Sequence, residues 1–310
     1  SASLREFAKI FKELTGGEVE VQEFPDQLFE KVQLALQSGG QFDVIEMPIA
    51  YIHSFAYAGY LTDLSEMLDT VASPGYDVGD FIPAMFNTYA NYNGKTIAFP
   101  YKPDAEIFFY RKDLFEDKTV KAQYLEKTGK ELAVPTTPEE MLEVAKFFTK
   151  SENPDSPVDY GFSAVMSKGS SRFQWFNFLG YFGGREVNDD YTLGFTDGSG
   201  VAALEYLIDL MKCAPAEALS FDWDTGNTYF AQGNAAMMMQ WPGLYLVCDQ
   251  EGSPTQGKIG YGVVPGNSST LGGWALAIPD DSVEKEMAFK FCEMATSKDG
   301  ECVKIQYTFD

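Results

Sequence analysis

Apolar residues along this chain follow two alternating patterns, one typical of helices and one typical of strands. They recur at helical spacing from Leu4 to Leu14 and stop at Gly16-Gly17, which predicts an amphipathic helix that ends at glycine. Val19 and Val21 then alternate with polar residues, as side chains do along a half-buried strand. The chain therefore opens with a predicted helix and a predicted strand.

The same alternation continues along the rest of the chain. Helices are predicted over residues 28–36, 138–150, 200–212 and 284–297, and strands over residues 42–45, 97–100 and 107–110. No internal repeat or low-complexity tract interrupts them. Strands that alternate with helices are typical of an α/β fold, so we predict that fold class.

Length and charge limit the possible partners. The chain has 310 residues, 45% of them hydrophobic, which indicates a large core and about two domains. It carries 46 Asp and Glu residues against 23 Lys and Arg, a formal net charge of −23. Such a field repels nucleic acids and anionic lipid surfaces. No apolar stretch approaches the ~18 residues of a membrane span, so we expect neither nucleic acid nor a membrane span.

The cysteines and the histidine argue against a metal site. Cys213, Cys248, Cys292 and Cys302 show no CxxC spacing, and His53 is the only histidine, so we expect no metal and no cofactor. In an oxidising compartment the four cysteines allow three disulfide connectivities. We favour Cys213 with Cys248 and Cys292 with Cys302, and four reduced buried thiols remain an equal alternative.

Two tryptophans lie next to glycine-rich backbone. Trp241 ends the run that begins at Tyr229, and Trp274 directly follows Gly272-Gly273. An indole face can stack on the C–H side of a sugar ring or hold a small cation, and glycine lets a ligand approach the main chain. The alternative is that both tryptophans are core residues.

Several segments carry a family resemblance in their order along the chain. They are residues 38–45, 58–64, 92–100, 109–115, 135–141 and 183–185, followed by the two tryptophan segments. In this order they resemble the extracellular solute-binding proteins of ABC importers, in particular the carbohydrate-type branch related to maltose- and trehalose-binding proteins. The resemblance covers nearly the whole chain.

The resemblance implies a two-lobed, type II periplasmic-binding-protein-like fold with a ligand cleft between hinge-connected lobes. Residues 1–106 and 263–310 would form the N-terminal lobe and residues 107–262 the C-terminal lobe. The chain would cross between them near residues 104–110 and 259–265. The implied function is to capture a small solute, a sugar or polyol above all, and to deliver it to the permease of an ABC transporter.

The same resemblance implies a monomer that acts in the periplasm or outside the cell, tethered by lipid in a Gram-positive organism. Related proteins begin with a strand before the first helix and continue past Thr296–Asp299. We therefore expect the chain to be part of a longer protein.

Family resemblance also implies most of the site residues. Trp241 and Trp274 match cleft aromatics, and the N–H groups of Gly272 and Gly273 would donate to a hydroxyl. Tyr101 and Asp104 follow a predicted strand where carbohydrate binders place an aromatic and an acid. Tyr51 matches a stacking aromatic, whereas Pro48 stands where some relatives carry a ligand-binding Asp.

Three further candidates come from their place on predicted helices. Arg172 and Trp175 begin a helix after Ser170-Ser171, where free N–H groups would face a cleft. Trp223 precedes another helix, for which Asp224 is the predicted N-cap. Trp175 could instead be a core residue.

Two alternatives concern the ligand and the chemistry. The aromatic side chains with Asp104 could hold a quaternary ammonium or a polyamine instead of a sugar. A carbohydrate-active hydrolase would need two carboxylates, for which Asp222 with Asp224, or Asp189 with Asp190, are available. Since no GxSxG motif or phosphate loop is present, we favour binding without catalysis.

Overall fold

The structure, a computed structural model, describes residues 2–24, 27–188, 190 and 192–308. Contacts divide the chain into two compact units. The first unit combines Ser1–Asp104 with Gly272–Asp310, and the second is the continuous stretch Ala105–Leu271.

Helices and strands alternate through both units. The strands are β1 (Ile45–Pro48), β2 (Asn91–Tyr92), β3 (Lys95–Thr96), β4 (Phe99–Ala105), β5 (Ile107–Arg111), β6 (Tyr160–Ser163), β7 (Ala235–Gln240), β8 (Ile259–Gly262) and β9 (Leu271–Ala277). The helices are α1 (Ala2–Thr15), α2 (Leu28–Ser38), α3 (Ile49–Tyr57), α4 (Ser65–Thr70), α5 (Pro83–Tyr89), α6 (Lys112–Glu116), α7 (Lys118–Thr128), α8 (Pro138–Phe147), α9 (Ser171–Leu179), α10 (Ser199–Met211), α11 (Trp223–Ala231), α12 (Leu244–Asp249), α13 (Lys285–Thr296) and α14 (Lys298–Thr308).

The sheet of the first unit has β9 at its centre. Its strand order is β1-β9-β4, with β1 antiparallel to β9 and Ile45 opposite Ala277. Successive side chains of a strand point to opposite faces, so β9 serves two cores. Leu276 packs with Phe7 and Phe289, while Ala275 and Ala277 pack in a core that contains Ile52 and Phe55.

The sheet of the second unit contains a parallel pair of strands. Its order is β6-β7-β5-β8, in which β6 runs parallel to β7 and β5 runs antiparallel to both of its neighbours. All six residues of β7 are buried. Met237 and Met239 enter one core and Met238 enters the other, so β7 is covered on both faces.

The helical part of the α/β prediction is confirmed most closely. The helices predicted over 4–14, 28–36, 138–150, 200–212 and 284–297 appear as α1, α2, α8, α10 and α13. The strand predicted over 107–110 is β5, but the strands predicted at 42–45 and 97–100 begin two or three residues later, as β1 and β4. The strand predicted around Val19 and Val21 is wrong, since residues 16–24 carry no strand in the structure.

The unit boundaries differ from those expected. The structure divides the chain after residues 104 and 271, whereas the resemblance placed the divisions after residues 106 and 262. Residues Ile259–Gly262 are β8, which pairs with β5 through Tyr110 and Gly260. The second expected crossing therefore lies inside the sheet of the second unit.

The favoured disulfide pairing is wrong in this structure. All four cysteines are free thiols, with Cys213, Cys248 and Cys292 buried and Cys302 exposed. The alternative of buried reduced thiols therefore describes three of the four. None of the described helices is long and apolar enough to cross a membrane.

A glycine in β6 supports a test of the packing in the second unit. A Cβ at Gly161 would overlap the main chain of Ala145 on α8. Gly161→Ala should therefore lower the free energy of unfolding by about 3 kcal/mol, measured by urea denaturation. Gly262→Ala is the control, because its Cβ meets no atom within 4 Å. Equal stability of the two variants would contradict the packing of α8 on β6.

The state of the cysteines is testable with a thiol reagent. Burial raises the pKa of Cys213 and raises that of Cys248 to about 11, so these thiols are unreactive as well as covered. In the native protein only Cys302 should react quickly, and the other three should react after unfolding. A protein that shows no reactive thiol after unfolding without reductant would contain the disulfides that the structure lacks.

Candidate functional site

Residues that follow the two parallel strands of the second unit converge at one edge of the sheet. The chain continues from β6 to α9 and from β7 directly to Trp241. Because parallel strands end at the same edge, both segments arrive there, and ligands of open α/β sheets bind at this carboxyl edge. The α9 residues that arrive at this edge include Arg172 and Phe173.

Three aromatic side chains meet in the second unit, and we call Phe173, Trp223 and Trp241 the aromatic cluster. The ring of Phe173 lies 5.6 Å from that of Trp241 at 78° and 6.0 Å from that of Trp223 at 45°. The two indoles lie 6.3 Å apart at 58°. All three residues are partly buried, so each leaves some ring surface exposed.

Polar groups fix and surround the cluster. Gln240 is 1% exposed, and its amide nitrogen donates to Asn227 Oδ1 at 2.9 Å. Its amide oxygen accepts the backbone N–H of Trp241 at 2.9 Å, which sets the course of the chain after β7. The exposed Arg172 places its Cζ atom 4.6 Å from the ring centre of Phe173. In the described part of the chain neither indole N–H has a protein acceptor.

The structure brings Trp241, Trp223 and Arg172 together, whereas the partly buried Trp175 packs against the hydrophobic core of the second unit. Its indole N–H donates to the carbonyl of Gly200 at 3.0 Å, and its ring packs on Phe176 and Phe195. These contacts favour the alternative of a packing role for Trp175, and its role as a ligand contact stays a prediction. Two residues along a helix turn a side chain by about 200°, which separates Trp175 from Phe173.

The acid that precedes Trp223 has a structural role. Asp222 is the N-cap of α11 and accepts the N–H of Thr225 at 2.9 Å, so the prediction of Asp224 as the cap is wrong by two residues. Hydrogen bonds from Thr225 lower the pKa of Asp222. A general acid needs a raised pKa, so this carboxylate does not suit the general-acid role in glycoside hydrolysis. The pKa of Asp190 is also lowered, by Thr192, and Asp189 lies outside the described residues.

Gly272 and Gly273 have structural roles in the first unit. The carbonyl of Gly272 accepts the hydroxyl of Tyr89, a fully buried residue whose pKa is raised by burial. Gly273 has φ of 89°, and a Cβ there would overlap the carbonyl of Lys102. Gly273 therefore allows β9 and β4 to approach closely, whereas the sequence had suggested that its N–H faces a ligand.

Asp104 lies beside the same tyrosine. Its backbone N–H donates to the hydroxyl of Tyr89 at 3.3 Å, and the residue is partly buried. The first unit therefore brings Asp104, Gly272 and Gly273 together around Tyr89.

The two predicted tyrosine contacts are packed against other side chains. Tyr101 is fully buried, its hydroxyl is bonded to Ser3 Oγ at 2.9 Å, and the Lys304 ammonium lies 4.8 Å from its ring centre. No face of Tyr101 remains for a ligand, so that prediction is wrong. Tyr51 is partly buried, and its ring lies 4.5 Å from that of Phe29.

Trp274 lies beside a cavity within the first unit. It stands opposite Pro48 across the β1–β9 ladder and is partly buried. The cavity, of about 530 Å³, is also lined by Glu46 and Lys102, whose charged groups are 3.0 Å apart. Trp274 and Trp241 thus lie in different units.

Comparison with known proteins gives consistent matches. The sequence model of the family described as bacterial extracellular solute-binding protein matches residues 6–305. A probable ABC transporter-binding protein of Deinococcus radiodurans is 28% identical over 276 residues, which cover 85% of this chain and 61% of the relative. The chain spans less than two thirds of the length of the curated relatives it matches.

Two solved structures are similar over almost the whole chain. An ABC transporter solute-binding protein from Agrobacterium radiobacter, in complex with ribitol, is 27% identical with a TM-score of 0.79 and covers 100% of this chain and 76% of its own. A maltose-bound protein of T. maritima is 27% identical with a TM-score of 0.77, covering 97% of this chain and 75% of its own. The α/β architecture is thus that of two-lobed solute-binding proteins.

Proposed function

This chain belongs to the family of bacterial extracellular solute-binding proteins, and we propose that it captures a sugar or polyol outside the cytoplasm for an ABC importer. The aromatic cluster is the observation that carries the proposal. It offers partly exposed rings beside Gln240, Asn227 and Arg172, and a sugar site combines a ring face with hydrogen-bonding groups. The two similar structures contain ribitol and maltose.

The proposal is for capture without chemistry. Of the acids near the cluster, Asp222 is a helix cap with a lowered pKa, so it does not suit the role of a general acid. The solute would instead be held by stacking and hydrogen bonds and handed to membrane permease subunits. We propose that the protein acts as a monomer, either free in a periplasm or lipid-tethered at a cell surface.

A cationic solute is the second candidate, and the ring angles favour it. The three rings are tilted at 45° to 78°, as in a cation cage, and no two of them form parallel platforms. However, the guanidinium of Arg172 lies over Phe173 and would repel a cation. We therefore rank the neutral polyhydroxylated solute first.

A thermal-shift screen tests the ligand class. The panel contains mono- and disaccharides, polyols, betaines, polyamines and amino acids. A ligand present at one hundred times its Kd stabilises the folded protein by about 2.7 kcal/mol, so a sugar or polyol should raise the melting temperature clearly. A rise with betaines or polyamines alone would establish the second candidate, and a rise with amino acids alone would refute both.

Removal of one ring tests the site itself. Trp241→Ala should weaken binding of the solute found in the screen by about 1.5 to 4 kcal/mol, the range for a buried aromatic anchor, measured by calorimetry. Tyr261→Ala is the control, because Tyr261 is a 63% exposed aromatic on β8, at the far edge of the same sheet. Unchanged affinity in the Trp241 variant would remove that residue from the site.

A further inference from the structure

A buried carboxylate lies where the chain enters the second unit. Glu106 has no exposed surface and directly precedes β5. Its two oxygens accept the amide nitrogen of Gln174 at 3.1 and 3.3 Å, and one of them also accepts the amide nitrogen of Asn177. Both donors are buried residues of α9. Since a buried charge requires such partners, these bonds hold α9 to the start of β5.

Thr270, near the end of the second unit, also bonds to α9 and to Glu106. Its N–H donates to Asn177 Oδ1 at 2.8 Å, its hydroxyl donates to the carbonyl of Phe173 at 2.9 Å, and its carbonyl accepts the N–H of Glu106 at 3.0 Å. Because a backbone N–H can only donate, Asn177 must turn its oxygen to Thr270 and its nitrogen to Glu106. We call Glu106, Gln174, Asn177 and Thr270 the Glu106 network.

We propose that Glu106 is a positioning residue for the aromatic cluster. It holds α9 through Gln174 and Asn177, and thereby holds Phe173 edge-on to Trp241. Phe173 is the neighbour of Gln174 on α9, and its own carbonyl is bound by Thr270. The effect on affinity rests on the proposed function, whereas the arrangement of the rings in the ligand-free protein does not.

A donor–acceptor exchange can test the network without a change of size. Glu106→Gln removes the charge and turns an amide nitrogen toward one of the donors on α9. Asn177 cannot turn to accommodate it, because its oxygen holds Thr270. Gln174 can turn, because its amide oxygen has no partner. Asn177→Asp alone places two carboxylates face to face. In the double variant the charge has moved to position 177, where the new carboxylate accepts both Thr270 and the new amide.

The rings can be followed spectroscopically in a Trp175→Phe, Trp274→Phe background. The chain has four tryptophans, so Trp223 and Trp241 are the two that remain. Near-ultraviolet circular dichroism and acrylamide quenching of the ligand-free protein report the packing of these indoles. Calorimetry with the solute found in the screen reports affinity.

Asn177→Asp should alter the ring signals and weaken binding about tenfold, and the double variant should restore both to within about twofold. Glu106→Gln should have a smaller effect, because Gln174 can turn to accept the new amide. Single variants with a lower melting temperature but unchanged ring signals would show a purely stabilising role and overturn the proposal. A double variant no better than Asn177→Asp alone would also overturn it. If the ring signals respond and recover but no solute binds the unaltered protein, the positioning role stands and the proposed function fails.

Discussion

The parallel pairing of β6 with β7 is the constraint on which the candidate site depends. It brings two segments that are distant in sequence to one edge of the sheet, so that Trp241 and the start of α9 arrive together. All six residues of β7 are buried, which fixes the position of the strand and of Trp241 directly after it. The side chain of Gln240 accepts the backbone N–H of Trp241 and so fixes the main chain at that point. The direction of the two strands therefore decides that these residues meet, and their side chains decide what they can bind.

Sequence patterns located the predicted helices well because the signals that mark where a helix starts and stops are local. The capping box of Thr137 and Glu140 at the start of α8 is an example. The strands were harder to place, because β4 contains Pro100, Pro103 and Asp104, residues that normally argue against a strand. Val19 and Val21 alternate with polar residues as in a strand. A strand also needs a second strand to pair with, and a local pattern does not show whether one is present.

The site was predictable only in part, and burial explains the difference. Trp223 and Trp241 stood out because of their size and setting, but Tyr101 and Trp175 look the same in sequence. In the structure Tyr101 is fully buried with its hydroxyl bonded to Ser3. Trp175 is partly buried, packs against the core and donates its indole N–H to Gly200. Glu106 could not have been found, since its partners are 68 and 71 positions away.

The central place of β9 sets the order in which the molecule can fold. β9 lies between β1 and β4, yet it follows the whole second unit in sequence. During synthesis, β1 and β4 emerge long before the strand that joins them, while the second unit already has all its strands before β9 is complete. The sheet of the first unit is therefore completed only when β9 emerges, and α13, which packs on it, follows later still. Until β9 pairs, the edges of β1 and β4 are open to aggregation.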